Sequence, residues 1–254
     1  MTRLVGELTS PEIAERLRTS SVLCLPVGAT EQHGPHLPLN TDTVIAEGFA
    51  RLLISGLGDE FDLWQLPTIS TSLSREHEWA PGTMSLSVEA FAALLRETGR
   101  EIARALPARN LMIINGHGGN RGILEPLMLD LARDCGLNCC AVHPLTLSKI
   151  DVDAVTPDVH GAKAETSMML ALAPQLVRLG KIEGLKKKPD AAAIRSTVLD
   201  TGVTWPWSSD DARIADQGII GDVADASEAF GHHLLDHAIE QARGVLRRLI
   251  GDRK

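Results

Sequence analysis

Short apolar runs alternating with amphipathic stretches set the strongest limit on how this chain can fold. Residues 21–28 (Ser-Val-Leu-Cys-Leu-Pro-Val-Gly), 61–66, 111–114 and 137–142 read as buried strands. Between them, residues 42–57 place Ile45, Phe49, Leu52 and Leu53 on one helical face. Residues 88–105 and 122–135 also read as helices, a further one opens over 165–172, and a long one spans 227–249. Strands with no polar alternation are covered on both faces, and strands interleaved with helices build a mostly parallel sheet. Start signals agree: Ser10 before Pro11 and Glu12, Thr41 or Asp42 ahead of the second helix, and Ser87 ahead of residue 88. No repeat or linker-like stretch divides residues 1–254, so one domain is expected. The least regular part is 186–218, which holds Pro189 and Trp205-Pro206-Trp207.

Sheets of this kind bind ligands beyond the carboxyl ends of their strands, and two polar motifs follow strands directly. The first is Gly28-Ala29-Thr30-Glu31-Gln32-His33-Gly34-Pro35-His36-Leu37-Pro38, followed by Asp42. Glu31 and His33 are two apart and point to one side of an extended backbone. Asp42 returns at the mouth of a helix, and its two oxygens can bridge two ions. Two carboxylates and an imidazole suit a divalent transition metal. The competing reading is a polar loop with Asp42 as a helix cap, which leaves Glu-Gln-His after an apolar strand without a purpose.

The second motif, Asn115-Gly116-His117-Gly118-Gly119-Asn120, lets backbone pass close to a ligand and offers His117 as a further metal ligand. It is neither a dinucleotide fingerprint nor a phosphate-binding loop ending in Gly-Lys-Ser/Thr. A third block, His160-Gly161-Ala162-Lys163-Ala164-Glu165-Thr166-Ser167, is ambiguous alone. Glu165 fits a first-turn acid that complements a helix dipole, and His160 fits a solvated loop. His232, His233 and His237 lie on the last helix without a carboxylate motif and read as helix-face residues.

Composition narrows the class. With 44% apolar and 23% charged residues the chain is globular rather than disordered. No apolar run approaches the ~18 residues of a membrane span, and the N-terminus lacks the apolar core of a secretory signal. A cytoplasmic protein is expected. The net charge of −8 argues against nucleic acid as a partner. Cys24, Cys135, Cys139 and Cys140 lack paired metal spacing and read as buried free thiols.

These motifs, with weaker agreement at Glu76-His77-Glu78, Pro81-Gly82-Thr83 and Gly221-Asp222, resemble the creatininase family, the creatinine amidohydrolases. The resemblance implies a three-layer α/β/α domain and two divalent ions per subunit, zinc or manganese, with iron as an alternative. It implies that Glu31, His33, Asp42 and His117 are metal ligands, with Asp42 bridging, and that His160 moves protons. Creatininases carry a ligand Glu where this chain has Gly119. Relatives sharing the glycine-rich loop fill that place from the Glu-Thr-Ser block, which makes Glu165 the fifth ligand and argues against creatinine as substrate. The expected activity is hydrolysis of a cyclic amide, imide or formamide C–N bond by a metal-bridging hydroxide. The alternatives are a metallopeptidase trimming a small precursor peptide and a non-catalytic family member. The expected partners are a small amide-type molecule and further copies of the chain, in rings that are often hexamers, with neither nucleic acid nor membrane. His77 and Glu78 are expected to line the pocket or lie on the surface. Trp205 and Trp207 read more readily as anchors of an irregular loop than as a flap.

Overall fold

The apolar runs enter a single four-stranded sheet: β1 (Val22–Val27), β2 (Leu63–Gln65), β3 (Asn110–Asn115) and β4 (Asn138–Val142), in the order β2-β1-β3-β4. Every pair is parallel, so the expectation of a mostly parallel sheet is met in full among the named strands. This computed structural model describes residues 2–152, 157–184 and 190–251. Eight helices are described: α1 (Ser10–Arg16), α2 (Thr41–Phe61), α3 (Val88–Ala105), α4 (Arg121–Cys135), α5 (Pro144–Leu147), α6 (Lys163–Leu172), α7 (Ala191–Thr197) and α8 (Glu228–Ile250).

Alternate strand residues supply two cores. Val22, Cys24, Met112 and Ile114 pack with α2, α6 and α8 on one face. Leu23, Leu25, Val27, Leu111 and Ile113 pack with α3 and α4 on the other. That is the three-layer α/β/α arrangement. Among the described residues no helix is long and apolar enough to cross a membrane.

Several boundaries differ from expectation for local reasons. Helix α1 is capped by Thr9, not Ser10, through a reciprocal capping box in which the Thr9 backbone N–H donates to Glu12 Oε2 at 2.7 Å. Helix α2 runs on to Phe61, where Asp62 turns left-handed (φ 49°), and this shortens β2 to three residues. Leu52 is exposed rather than on the buried face. The N-cap of α2 is Asn40, which makes no side-chain cap bond, so Asp42 sits in the first turn free of capping duty. Ser87 caps α3 as expected, accepting from the Ala90 N–H. Within the irregular stretch, residues 186–189 lie outside the described residues and 191–197 form α7. Cys24 alone among the four cysteines is buried, and the other three are half-buried.

β1 and β3 lie side by side at the centre, and their onward connections leave toward opposite edges of the sheet. This is the switch point at which such sheets open a crevice. The end of β3 is pinned there: Asn115 Nδ2 donates to the His117 carbonyl at 2.5 Å, and Asn120 Nδ2 donates to Asn115 Oδ1 at 3.0 Å. Gly116 lets the first turn of α2 press onto this loop, because a Cβ at 116 would overlap the Asp42 carbonyl oxygen.

That overlap is with backbone, which cannot swing aside. Gly116→Ala is expected to cost about 1–3 kcal/mol of stability, the usual range for overpacking. Urea unfolding measures it, and an unchanged midpoint would contradict this packing.

Candidate metal centre

The loop leaving β1 supplies Glu31 and His33, the first turn of α2 supplies Asp42, and the loop leaving β3 supplies His117. His160 is held by an antiparallel bridge to Ile220, and Glu165 lies in the first turn of α6. All six side chains singled out in the sequence meet at one point. His33 Nε2 donates to Asp42 Oδ1 at 3.0 Å. His117 Nδ1 lies 3.1 Å from both Glu31 Oε1 and Asp42 Oδ2, so the two oxygens of Asp42 face two different histidines. Glu165 Oε2 lies 3.8 Å from His33 Nε2 and accepts from the Gly161 N–H at 2.6 Å. His160 Nδ1 lies 3.6 Å from Glu31 Oε1.

Three further residues belong here that the sequence left without a role or undecided. A short helical turn, Arg75–His77, brings in Glu76 and His77. His77 is buried, with Nε2 3.6 Å from Glu31 Oε1 and its ring stacked on His160 at 3.9 Å between centroids. Glu76 Oε1 lies 3.5 Å from His117 Nε2. Glu78 is exposed, so of that pair His77 alone reaches the centre. The third is Gln32. Its Nε2 lies 3.0 Å from the Gly218 carbonyl and 3.1 Å from both His77 Nδ1 and Ser209 Oγ, tying the histidines to the later part of the chain.

Residue chemistry and geometry both fit a divalent ion. Glu31 Oε1 and Oε2, Asp42 Oδ2 and His117 Nε2 are buried with no hydrogen-bond partner among the described residues. Unpaired buried polar atoms are costly unless something satisfies them. Three sets offer ligand atoms within 4.8 Å of one another: Glu31, Asp42 and His117; His33, His160 and Glu165; and Glu31, His77 and His160.

Protonation tells the same story. Burial opposes charge on His33, yet Asp42, Glu165 and Glu31 outweigh it and hold the imidazole up at about 10. Burial likewise opposes charge on His117, and Glu31, Asp42 and Glu76 raise it well above the ordinary value. Asp42 is held below the carboxylate range against its own burial, chiefly by His33. Burial pushes Glu165 up to about 7 and Glu31 upward as well. His77 and His160, desolvated and stacked, are pushed down, His77 to about 3. The centre therefore draws positive charge onto the two rings that face Asp42, and a metal ion would displace those protons.

His117, His160 and Glu165, with Glu76 and His77, line a cavity of about 830 Å³ whose wall also includes Arg121, His143, Leu199, Trp205 and Trp207. Trp207 packs on the Ile194–Ile220 cluster and meets His77 edge-on at 6.0 Å, so it anchors its loop and lines the cavity together. Trp205 is 53% exposed at the cavity wall. His232 and His233 are exposed on α8, and the half-buried His237 ring meets that of His233 edge-on.

The creatininase family model, described as creatinine amidohydrolase, matches residues 6–246. The chain is 35% identical over 241 residues to a mycofactocin precursor peptide peptidase of Mycobacterium tuberculosis, covering 91% of this chain and 86% of that protein. It is 34% identical over 202 residues to a creatinine amidohydrolase of Pseudomonas putida, covering 70% of this chain and 75% of that one. In structure it matches a mutant creatininase of Zn–Zn type, with TM-score 0.80, 24% identity and 99% of each chain covered.

The raised histidine gives a pH signature without metal. Against an ordinary value of 6.5, a folded value of about 10 means that His33 contributes stability that is complete below about pH 6.5 and lost as pH rises through 10. Chelator-treated protein is expected to show a falling thermal midpoint across that window. A midpoint that stays level or climbs between pH 6.5 and 10 would contradict the site's charge balance.

Proposed function

The chain belongs to the creatininase family, and from that premise we propose that it is a metal-dependent hydrolase that cuts a C–N bond in a peptide-derived substrate. One observation carries the reading: a buried set of carboxylates and imidazoles, several of their atoms without a hydrogen bond, that reaches a cavity of about 830 Å³ through His117, His160 and Glu165. Sites of roughly 300–1,000 Å³ hold drug-sized ligands, and this one far exceeds a single small ring. Similarity to a precursor-peptide peptidase over most of the chain supports a peptide over the cyclic amide, imide or formamide expected from the sequence. The non-peptide reading stands second, supported by the similarity to a creatinine amidohydrolase. Gly119, standing where creatininases have Glu, weighs against creatinine itself. We take residues 1–254 as one hydrolase unit and expect a homo-oligomer, as the family resemblance implies.

Glu31, Asp42 and His117 would hold one divalent ion, and His33, Asp42 and Glu165 a second. Zinc or manganese suits this mixture of imidazole nitrogen and carboxylate oxygen. Such ions supply Lewis acidity and lower the pKa of water from about 15.7 toward neutrality. The protein's own groups prepare the rest. His33 Nδ1–H donates to the Glu31 carbonyl at 3.1 Å, which leaves Nε2 as its ligand nitrogen. His160 Nε2–H donates to the Gln32 carbonyl at 2.6 Å, so the free electron pair is on Nδ1, the atom turned toward Glu31.

Held neutral by burial, His160 accepts a proton at Nδ1 from the attacking water and passes it to the departing nitrogen. The carbonyl carbon gains the water oxygen, the C–N bond breaks and the amine leaves with that proton. Removal of the shuttle is expected to lower kcat by about 10²–10⁴-fold, the usual span for general acid–base help.

A turnover panel of short peptides, lactams, imides, formamides and creatinine tests the reading on metal-loaded protein. Peptide cleavage supports it, and turnover confined to lactams, imides or formamides transfers support to the second reading. His117→Ala is expected to lose bound metal and turnover together. Full metal content with full turnover in that variant would overturn the ligand assignment.

A further inference from the structure

Glu76 stands outside both proposed ligand sets, yet its carboxylate reaches the back of His117. The ring presents Nδ1 to Glu31 and Asp42 and turns Nε2 the other way, to 3.5 Å from Glu76 Oε1. His117 is 4% exposed, and Nε2 has no hydrogen-bond partner among the described residues. The Glu76 side chain is itself only 17% exposed. Its backbone is pinned, since the Glu76 carbonyl accepts from the Ser209 N–H at 2.9 Å. Its neighbour His77 is turned into the same centre.

The absent side chain at 119 makes this approach feasible. A Cβ on Gly119 would overlap both Glu76 Oε1 and His117 Nε2. A glutamate at 119, as creatininases carry, could not coexist with Glu76 in this position.

We propose that Glu76 is a positioning residue for His117: seated in the space that Gly119 leaves open, it holds the ring's proton on Nε2 and aims Nδ1 at the metal. The inference rests on the metal-dependent reading above. Imidazole ligands generally donate their second N–H to a carboxylate or carbonyl, which fixes tautomer and ring angle, and losing that partner typically costs 10–100-fold in metal affinity. The 3.5 Å separation is longer than a strong hydrogen bond, and contraction by about half an ångström brings it into range.

The test uses Glu76→Gln, nearly isosteric with the parent, and Glu76→Ala as a second variant. Zinc affinity is read by competition with a chromophoric chelator, and ligand geometry by the visible spectrum of the cobalt(II)-loaded protein. Expected is zinc binding weakened about 10-fold or more in both variants, the typical loss for such a partner. The cobalt bands should shift, with any fall in the unfolding temperature of the metal-free forms too small to account for the lost zinc affinity. Parent-like zinc affinity and cobalt bands in both variants would overturn the proposal while leaving the metal reading intact. Weakened binding accompanied by an equal loss of metal-free stability would also overturn it, as a purely structural effect. A parent protein that binds neither ion overturns both readings.

Discussion

The centre crowds four carboxylates, from Glu31, Asp42, Glu76 and Glu165, around His33 and His117 in a region almost free of solvent. Buried charge is tolerated only when paired, so this arrangement demands positive charge at its middle. Much of the architecture follows from meeting that demand. Parallel strands end together, which lets the loops after β1 and β3 converge from adjacent positions. Helix α2 begins at the same level and delivers Asp42 between them. Asp42 is the pivot, since one oxygen faces His33 and the other His117.

The later part of the chain closes the other side. His160 and Glu165 arrive on the segment leading into α6, whose start is held by the Asp222 carbonyl accepting from the Lys163 N–H at 2.9 Å. Helix α6 in turn packs against α8 in the same core that supports α2. His36, part of the first motif, is buried with Nε2 2.8 Å from Thr166 Oγ1, which locks that motif to the Glu-Thr-Ser block. Gln32 performs a similar service toward Ser209 and Gly218. Residues of the polar motifs thus divide between those that face the centre and those that stitch the segments carrying it.

Much of this was legible from residue order. Apolar runs 111–114 and 137–142 became β3 and β4, and the Ser87 cap and the start of α3 fell where the sequence placed them. The ligand candidates converge because strand-end motifs in a parallel sheet share one edge by construction. What stayed hidden depended on contacts distant in sequence. Glu76 reaches His117 only because a turn 41 residues earlier folds against Gly119, and no local pattern encodes that approach. The length of α2 was set by a left-handed Asp62, a conformation that periodicity does not report. Thr9 outcompeted Ser10 as a cap because Glu12 sits three residues after Thr9, completing the box.

The central claim, that this cluster exists to hold divalent metal around Asp42, is tested most directly by anomalous scattering from crystals of protein prepared without chelators. Two peaks are predicted, one contacting Glu31, Asp42 and His117 and the other contacting His33, Asp42 and Glu165. A map with no peak at Asp42, from crystals in which these side chains are ordered, would contradict it.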